Sequence, residues 1–410
     1  MFKMTLIPIT RQKPKRVNPI GPRNAKVVLV GEAPGKEENE TGIPFTGSSG
    51  HLLTQLLKQA GIDRADCYIT NVVKFRPPDN KLSRLEEIGC SLSESMKELR
   101  EELSSLKPNV IVPLGETAFE AVTGLHGISK WRGSIIHSLP TIGDIKVIPT
   151  FHRSSALCLF DFDKIKREAL TNDFNSIPKR EFKINPTFDE CLLLLERFQQ
   201  ATAVALDIET DRGANFIKCV GFADSANFAG CIPFIEKGSA IWSFSQECIL
   251  WDRIRSILTD KNIKKIIQNM DFEMEVLFPF VGEIYPVYMD TMIASHLYLP
   301  EIRKALAVQT SIYTNEPYYK DDAKEADYEP SALYTYNCKD CTVTFEIYEY
   351  LEARLKEINL HNFLHGFQMP LGRLLWRASH KGIRVDIARI KEYRDTTERD
   401  LSKAETALAV

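Results

Sequence analysis

Asp207 and Glu209 close a short apolar run, Ala203-Val-Ala-Leu-Asp-Ile-Glu-Thr210. In a β-strand, residues two apart face the same side, so this spacing predicts two carboxylates side by side at a strand end. Close like charges cannot both stay ionised cheaply. A divalent cation with oxygen ligands removes the conflict. Taken alone, the pair fits equally well an ordinary strand with an acidic, exposed end. Two later stretches add to it. Gln268-Asn-Met-Asp-Phe-Glu-Met-Glu-Val-Leu277 reads as a helix with Asn269 and Glu273 on one face and Asp271 turned away. Tyr336-Asn-Cys-Lys-Asp340 sets Tyr336 and Asp340 on a shared face in the same way. Each could be a solvated helical face by chance; the three together, after an Asp-x-Glu strand, are hard to assign to chance.

A second set of chemistry-bearing residues lies in the first third. Lys26-Val-Val-Leu-Val30 reads as a buried strand that runs into Gly31-Glu-Ala-Pro-Gly35, and further strands are expected at Cys67–Val73, Asn109–Leu114 and Lys146–Thr150. Helical patterns lie between them at Gly50–Ala60, Arg84–Leu106 and Glu116–Thr123. Such alternation predicts a mostly parallel sheet covered on both faces, with a ligand beyond the carboxyl ends of its strands. Glu32, Asn71 and His152 leave three of those ends. Gly42-Ile-Pro-Phe-Thr-Gly-Ser-Ser-Gly50 brings Phe45 and opens a helix, where backbone N–H groups of Gly47, Ser48 and Gly50 could meet a phosphate. A capping Glu, a core Phe, a turn Asn and a satisfied His are the bland readings. Convergence on one sheet end speaks against all four being true together.

Composition bounds the rest. The 410 residues predict two or three domains, and a 44% hydrophobic, 26% charged composition is globular. A net charge of −3 gives no global basic signal for nucleic acid, although binding depends on local charge. Nine cysteines without a secretory signal point to a reducing, cytoplasmic compartment. Cys338 and Cys341 form the one Cys-x-x-Cys and are expected to pack rather than bind metal. No apolar run has the length of a membrane span, so no membrane partner is expected. Residues 1–25 are basic and read as a solvated tail.

The first third resembles the uracil-DNA glycosylase superfamily, most closely its family-4 branch. The resemblance rests on Gly31-Glu-Ala-Pro-Gly35, Gly42-x-Pro-Phe-x-Gly-x-x-Gly50, Asn71-Val-Val-Lys-x-Arg-Pro-Pro78, Leu114-Gly-Glu116, Trp131-Arg-Gly133 and Pro149-Thr-Phe-His152. It implies a three-layer α/β/α domain that flips a base into a pocket. Phe45 would stack on the base and Asn71 would read its polar edge. Glu32 would lie near the attacking water, and His152 would stabilise charge on the leaving base. The sequence departs from the family in two ways. Phe75 stands at one of the cluster cysteine positions and only Cys90 matches, so no iron–sulfur cluster is expected. Arg153 replaces the usual Pro, which leaves excision open.

The middle resembles the DEDD 3′–5′ exonucleases, in particular the proofreading domain of family-A DNA polymerases, including Asp290-Thr-Met-Ile-Ala-Ser-His296. The resemblance implies a ribonuclease-H-like α/β domain that hydrolyses DNA 3′ ends with two Mg²⁺ or Mn²⁺ ions. Asp207, Glu209, Glu273 and Asp340 would be metal ligands, and Tyr336 would orient water. Glu273 stands where the family usually has Asp. Met369-Pro-Leu-Gly-Arg-Leu-Leu-Trp376, Gly382-Ile-Arg-Val-Asp386 and the charged helix from Ile387 resemble the entry into a family-A polymerase thumb. Phage-type polymerases with a glycosylase-like N-terminal domain give the closest whole-chain resemblance.

The expected organisation is a glycosylase-like domain over 26–171, a linker over 172–186, an exonuclease domain over 187–360 and a truncated polymerase start over 361–410. The expected partner is single-stranded DNA at its 3′ end. A separate polymerase subunit, or a C-terminal polymerase domain lying beyond 410, is also expected to engage the chain. Two other readings stay open: an RNA-processing DEDD exonuclease, and a catalytically weak DNA-binding module that partners a separate polymerase.

Overall fold

The computed structural model describes residues 15–151, 156–211, 216–322 and 329–408. Strands β1 (Val27–Gly31), β2 (Cys67–Asn71), β3 (Val110–Pro113), β4 (Ile136–His137) and β5 (Lys146–Val147) form one sheet in the order β2-β1-β3-β5-β4. All pairs are parallel except β4 with β5. Helices α1 (Lys36–Thr41), α2 (Ser48–Gln59), α3 (Leu92–Ser104), α4 (Glu116–Thr123), α5 (Ile128–Trp131) and α6 (Ala156–Glu168) accompany it. The central strands are apolar on both sides. Val28 and Val30 enter one core with Leu99 and Phe119, while Leu29 enters another with Leu53 and Leu57. That is the signature of a parallel sheet buried between helical layers.

The second sheet runs β13-β12-β7-β8-β9-β6. It is built from β6 (Glu181–Lys183), β7 (Ala203–Thr210), β8 (Ile217–Ser225), β9 (Phe228–Pro233), β12 (Lys264–Ile267) and β13 (Val287–Asp290), with β10 (Ile235–Glu236) and β11 (Ser239–Ala240) forming a small separate hairpin. β7, β12 and β13 are mutually parallel, whereas β8 runs antiparallel to both β7 and β9. Helices α7 (Phe188–Gln199), α8 (Phe244–Thr259), α9 (Met270–Val281), α10 (Thr291–Tyr298), α11 (Leu306–Tyr313) and α12 (Pro330–Glu357) pack around it. Thr187 starts α7 with a capping box to Glu190, and Ser243 starts α8 with one to Gln246, so two helix starts are encoded locally. Beyond α12 come α13 (His361–Phe363), α14 (Met369–Lys381) and α15 (Ile387–Leu408). α14 buries Met369 and Trp376, and α15 buries nothing.

Three expectations change. The helix expected over Arg84–Leu106 breaks at Gly89, whose φ of 75° closes a 3₁₀ segment (Leu82–Ile88) before α3 begins. The linker expected over 172–186 contains β6, which pairs with β9 and extends the second sheet. The basic segment is no solvated tail over its described part. Val17 is buried and donates to the Lys74 carbonyl, and Ile20 exchanges backbone hydrogen bonds with Ile69 on the β2 edge. Side-chain periodicity is silent about strands of three residues or fewer, and edge pairing needs a partner that only folding supplies. Cys338 and Cys341 pack with Cys219 and Cys231 in a buried cluster against β8 and β9, as expected.

The two sheets are joined by a buried polar seam. Arg132 pairs with Asp161 at 2.6 Å and donates to Ser311 Oγ at 2.7 Å. Lys164 donates to the carbonyls of Gly133 (2.7 Å), Ser311 (2.9 Å) and Thr314 (2.8 Å). Arg180, between the sheets in sequence, pairs with Glu316 and Glu346. Burial lowers the Lys164 ammonium to about 8, against support from Asp161. The native chain therefore sheds this proton earlier than the unfolded chain, whose lysine titrates near 10.5. Between those values the unfolded state binds more protons, so Lys164 makes stability rise with pH. Lys265, also lowered to about 8, acts in the same window. Lys164→Met should destabilise the chain by roughly 2–4 kcal/mol at neutral pH, since the seam's carbonyls lose a charged donor. Urea denaturation between pH 8 and 10.5 should also show a shallower rise of stability with pH in the variant, by up to about 1.4 kcal/mol per unit; an unchanged slope would overturn the assignment.

Candidate active sites at the two sheet ends

β7 delivers Asp207 and Glu209, as the alternation required, and α12 crosses the sheet to bring Tyr336 and Asp340 over them. Ligand oxygens of Asp207, Glu209 and Asp340 all lie within 4.8 Å of one another. This close approach depends on Gly221, which pairs with Asp207 across β7 and β8. A Cβ there would stand 2.1 Å from Asn337 Oδ1. Asn337 uses the space to donate its amide to Asp207 Oδ2 at 2.8 Å and to the Asp207 carbonyl at 3.1 Å. Burial, then Asp340 and Glu209, push the Asp207 carboxyl well above the usual carboxylate range.

Glu273 lies on α9 and is buried, whereas Asp271 is exposed, as their helical phase required. Asn269 is not on the shared helical face expected of it. It is the residue before α9, with a φ of 71°. What seats α9 is Asp290, the last residue of β13. Its carboxylate accepts from the backbone N–H of Asn269, Met270 and Met292 at 3.2, 2.9 and 2.7 Å, capping α9 and α10 together. Glu273 falls outside the three-carboxylate group. Its Oε2 is buried and has no hydrogen-bond partner among the described residues. Burial and then Asp207 hold its carboxyl well above its ordinary range. An all-oxygen donor set with an unsatisfied buried carboxylate oxygen beside it fits hard divalent cations.

Besides Asn337, two residues at this site went unread in the sequence. Tyr319 donates to Asp340 Oδ1 at 2.6 Å, and Lys320 bonds the same oxygen at 2.6 Å and Tyr336 Oη at 2.9 Å. Burial disfavours the Lys320 ammonium, but Asp340 and Tyr336 outweigh it and raise its pKa. Burial and Asp340 likewise raise the Tyr336 phenol, so it remains protonated. Tyr319 and Lys320 belong to an irregular segment with no hydrophobic period, so the sequence carried no signal for them.

At the end of the first sheet, Asn71 stands opposite Gly31 in register, and Glu32 follows β1. A Cβ on Gly31 would meet Asn71 Oδ1 at 2.3 Å and the Phe45 ring at 2.5 Å, so the amide and the ring converge on bare backbone. Glu32 accepts from Thr117 Oγ1 at 2.7 Å. Glu32, Phe45, Asn71, Pro77 and Leu114 line a cleft of about 540 Å³. His152 and Arg153 lie outside the described residues. The phosphate site expected at Gly47, Ser48 and Gly50 needs correction. Gly47 N–H donates to Glu38 Oε1 at 2.8 Å, and Gly50 N–H donates to the Gly47 carbonyl at 2.8 Å. The Gly47 and Gly50 N–H groups are thus taken by the chain itself, and the Glu38 carboxylate beside them opposes an anion. Gly50 serves packing instead, since a Cβ would stand 1.8 Å from the Phe45 carbonyl oxygen. Phe75 lies beneath the Arg16 guanidinium, and Cys90 packs partly buried against the core.

The comparisons with known proteins divide the chain in the same way. Residues 19–174 match the family model described as uracil DNA glycosylase superfamily, and residues 187–356 match that of a 3'-5' exonuclease of the family-A DNA polymerases. The type-4 uracil-DNA glycosylase of Thermotoga maritima is 43% identical over 158 residues, which cover 38% of this chain and 78% of that protein. That of Archaeoglobus fulgidus is 34% identical over 187 residues, covering 44% and 90%. The DNA polymerase of Bacillus phage SP01 is 23% identical over 441 residues, covering 96% of this chain and 47% of the polymerase, so the chain spans about half the length of that relative. The chain thus belongs to the uracil-DNA glycosylase superfamily through its first sheet, and its second sheet lies in the stretch that matches the 3'-5' exonuclease model and aligns with family-A DNA polymerases.

Proposed function

We propose that the second sheet end removes nucleotides from DNA 3′ ends, in the manner of polymerase proofreading. The convergence of Asp207, Glu209 and Asp340 within 4.8 Å carries this reading. These three residues, with Glu273 behind Asp207, would hold two divalent cations, Mg²⁺ or Mn²⁺. Such ions supply a hydroxide near neutral pH and stabilise the leaving 3′ oxygen. Tyr336, protonated and next to Asp340, orients the water. Lys320 neutralises Asp340 and must yield a carboxylate oxygen when a cation binds. Glu273 keeps the carboxylate type with one more methylene than Asp, and would lose its proton only when a cation offsets its burial and the charge of Asp207. The substrate follows from the family, and the reaction is assigned to the cytoplasm of a bacterial or phage-infected cell. The phage polymerase's match across both sheets favours DNA over RNA and suggests a polymerase domain or subunit as partner.

For the first sheet end we propose capture of a flipped uracil between Phe45 and Asn71, with Glu32 near the attacking water and His152 supporting the leaving base. The slot at Gly31 supports this reading. No iron–sulfur cluster enters it, because Phe75 offers no ligand.

Asp207→Ala should lower Mg²⁺- or Mn²⁺-dependent release of 3′ nucleotides by a factor on the order of a thousand; equal rates in parent and variant would sink the assignment. A raised carboxyl pKa means that the native chain binds more protons than the unfolded one above pH 4, so stability without metal falls as pH rises through the raised range. Asp207→Asn should flatten that fall and abolish the thermal stabilisation by Mg²⁺, both readable by calorimetry with and without chelator. Uracil release from single-stranded DNA should disappear in Asn71→Ala and His152→Ala; no release by the parent chain would leave this cleft a DNA-binding site only.

A further inference from the structure

A second group of metal-ligating side chains lies away from both sheet ends. Glu352 stands 12 residues after Asp340 on α12, which places it about 18 Å further along the axis at 1.5 Å per residue. After α12 the chain reverses at Asn359, whose φ is 61°. It enters α13 and then a π-helical turn, Leu364–Gln368. This reversal carries His361 and His365 back over Glu352. His361 Nε2 lies 3.0 Å from Glu352 Oε1, and His365 Nε2 lies 3.4 Å from Glu352 Oε2. The two imidazole rings are 4.4 Å apart, and one ligand atom from each residue lies within 4.8 Å of the others.

We propose that Glu352, His361 and His365 form a structural site for a transition-metal cation of the Zn²⁺ class, which pins the exonuclease domain to the helices that follow it. Tetrahedral coordination at roughly 2.0–2.1 Å spaces ligand atoms by about 3.3 Å, close to the separations found here. Two imidazoles with one carboxylate select Zn²⁺ or Co²⁺ over Mg²⁺, which favours oxygen alone. The site also has outer support. Tyr288 donates to Glu352 Oε1 at 2.9 Å, and its ring lies 4.3 Å from that of His365. Such contacts fix the orientation of ligands. π turns, moreover, concentrate at functional sites. Lys356 bonds the same carboxylate at 2.9 Å, but its side chain is 57% exposed, so it can swing into solvent when a cation takes its place. The partly exposed histidines leave an entry path.

The test uses the full chain with Mg²⁺ in excess, so that the Asp207 cluster is filled. Zn²⁺ titrated against a chromophoric chelator should bind one equivalent more in the parent than in the His361→Ala/His365→Ala double variant. Zn²⁺ should raise the melting temperature of the parent alone. Mg²⁺-dependent exonuclease activity should be the same in both, which shows that the variant is folded. Should the variant not fold, the visible spectrum of Co²⁺ bound to the parent decides. Intense tetrahedral bands without thiolate charge transfer support the site. Weak octahedral bands alone, or equal Zn²⁺ uptake by parent and variant, overturn it.

Discussion

The cost of gathering carboxylates in a poorly hydrated place organises the second half of this molecule. Asp207 and Glu273 both carry carboxyls pushed upward first by burial, then by neighbouring carboxylates: Asp340 and Glu209 act on Asp207, and Asp207 acts on Glu273. Such an arrangement persists only where neighbours compensate. Here the compensation is distributed. Asn337 donates to Asp207, Tyr319 and Lys320 bond Asp340, and the three backbone N–H groups that converge on Asp290 hold α9 and α10 in place. These contacts come from several elements. The sheet, the crossing helix and the irregular 314–322 segment must therefore all be in position before the cluster exists.

That segment also ties the two halves together. Lys164 holds the Ser311 and Thr314 carbonyls, the Tyr318 backbone N–H donates to Ser134 Oγ, and Lys130 pairs with Asp321. The next residues inward are Tyr319 and Lys320, on Asp340. The first domain thus braces the strip of chain that brings the Tyr319 hydroxyl and the Lys320 ammonium onto Asp340. A buried seam of this kind contributes more to relative placement than to net stability, since desolvation offsets much of its attraction.

The first sheet end obeys a steric rule. Gly31 and Gly50 are bare so that Phe45 and Asn71 can close on the backbone. Glu38 meanwhile takes the Gly47 N–H that the glycine-rich sequence offers to a phosphate. A carboxylate nine residues away occupying an N–H site is invisible to motif reading, because the glycines look the same whether their donors face a ligand or the protein.

The sequence by itself determined the strand over 203–210 with its two carboxylates, the phase of Glu273 against Asp271, the pairing of Tyr336 with Asp340 and the alternating layers of the first domain. These follow from periods of two and of about 3.6 residues, which are local properties of the chain. Tertiary structure alone decided that Lys320 and Asn337 join the cluster, that Asp290 caps two helices, that β6 belongs to the sheet and that Glu38 takes the Gly47 N–H. Each of these depends on groups far apart in sequence meeting in space, and a contact of that kind leaves no periodic trace in the residues that make it.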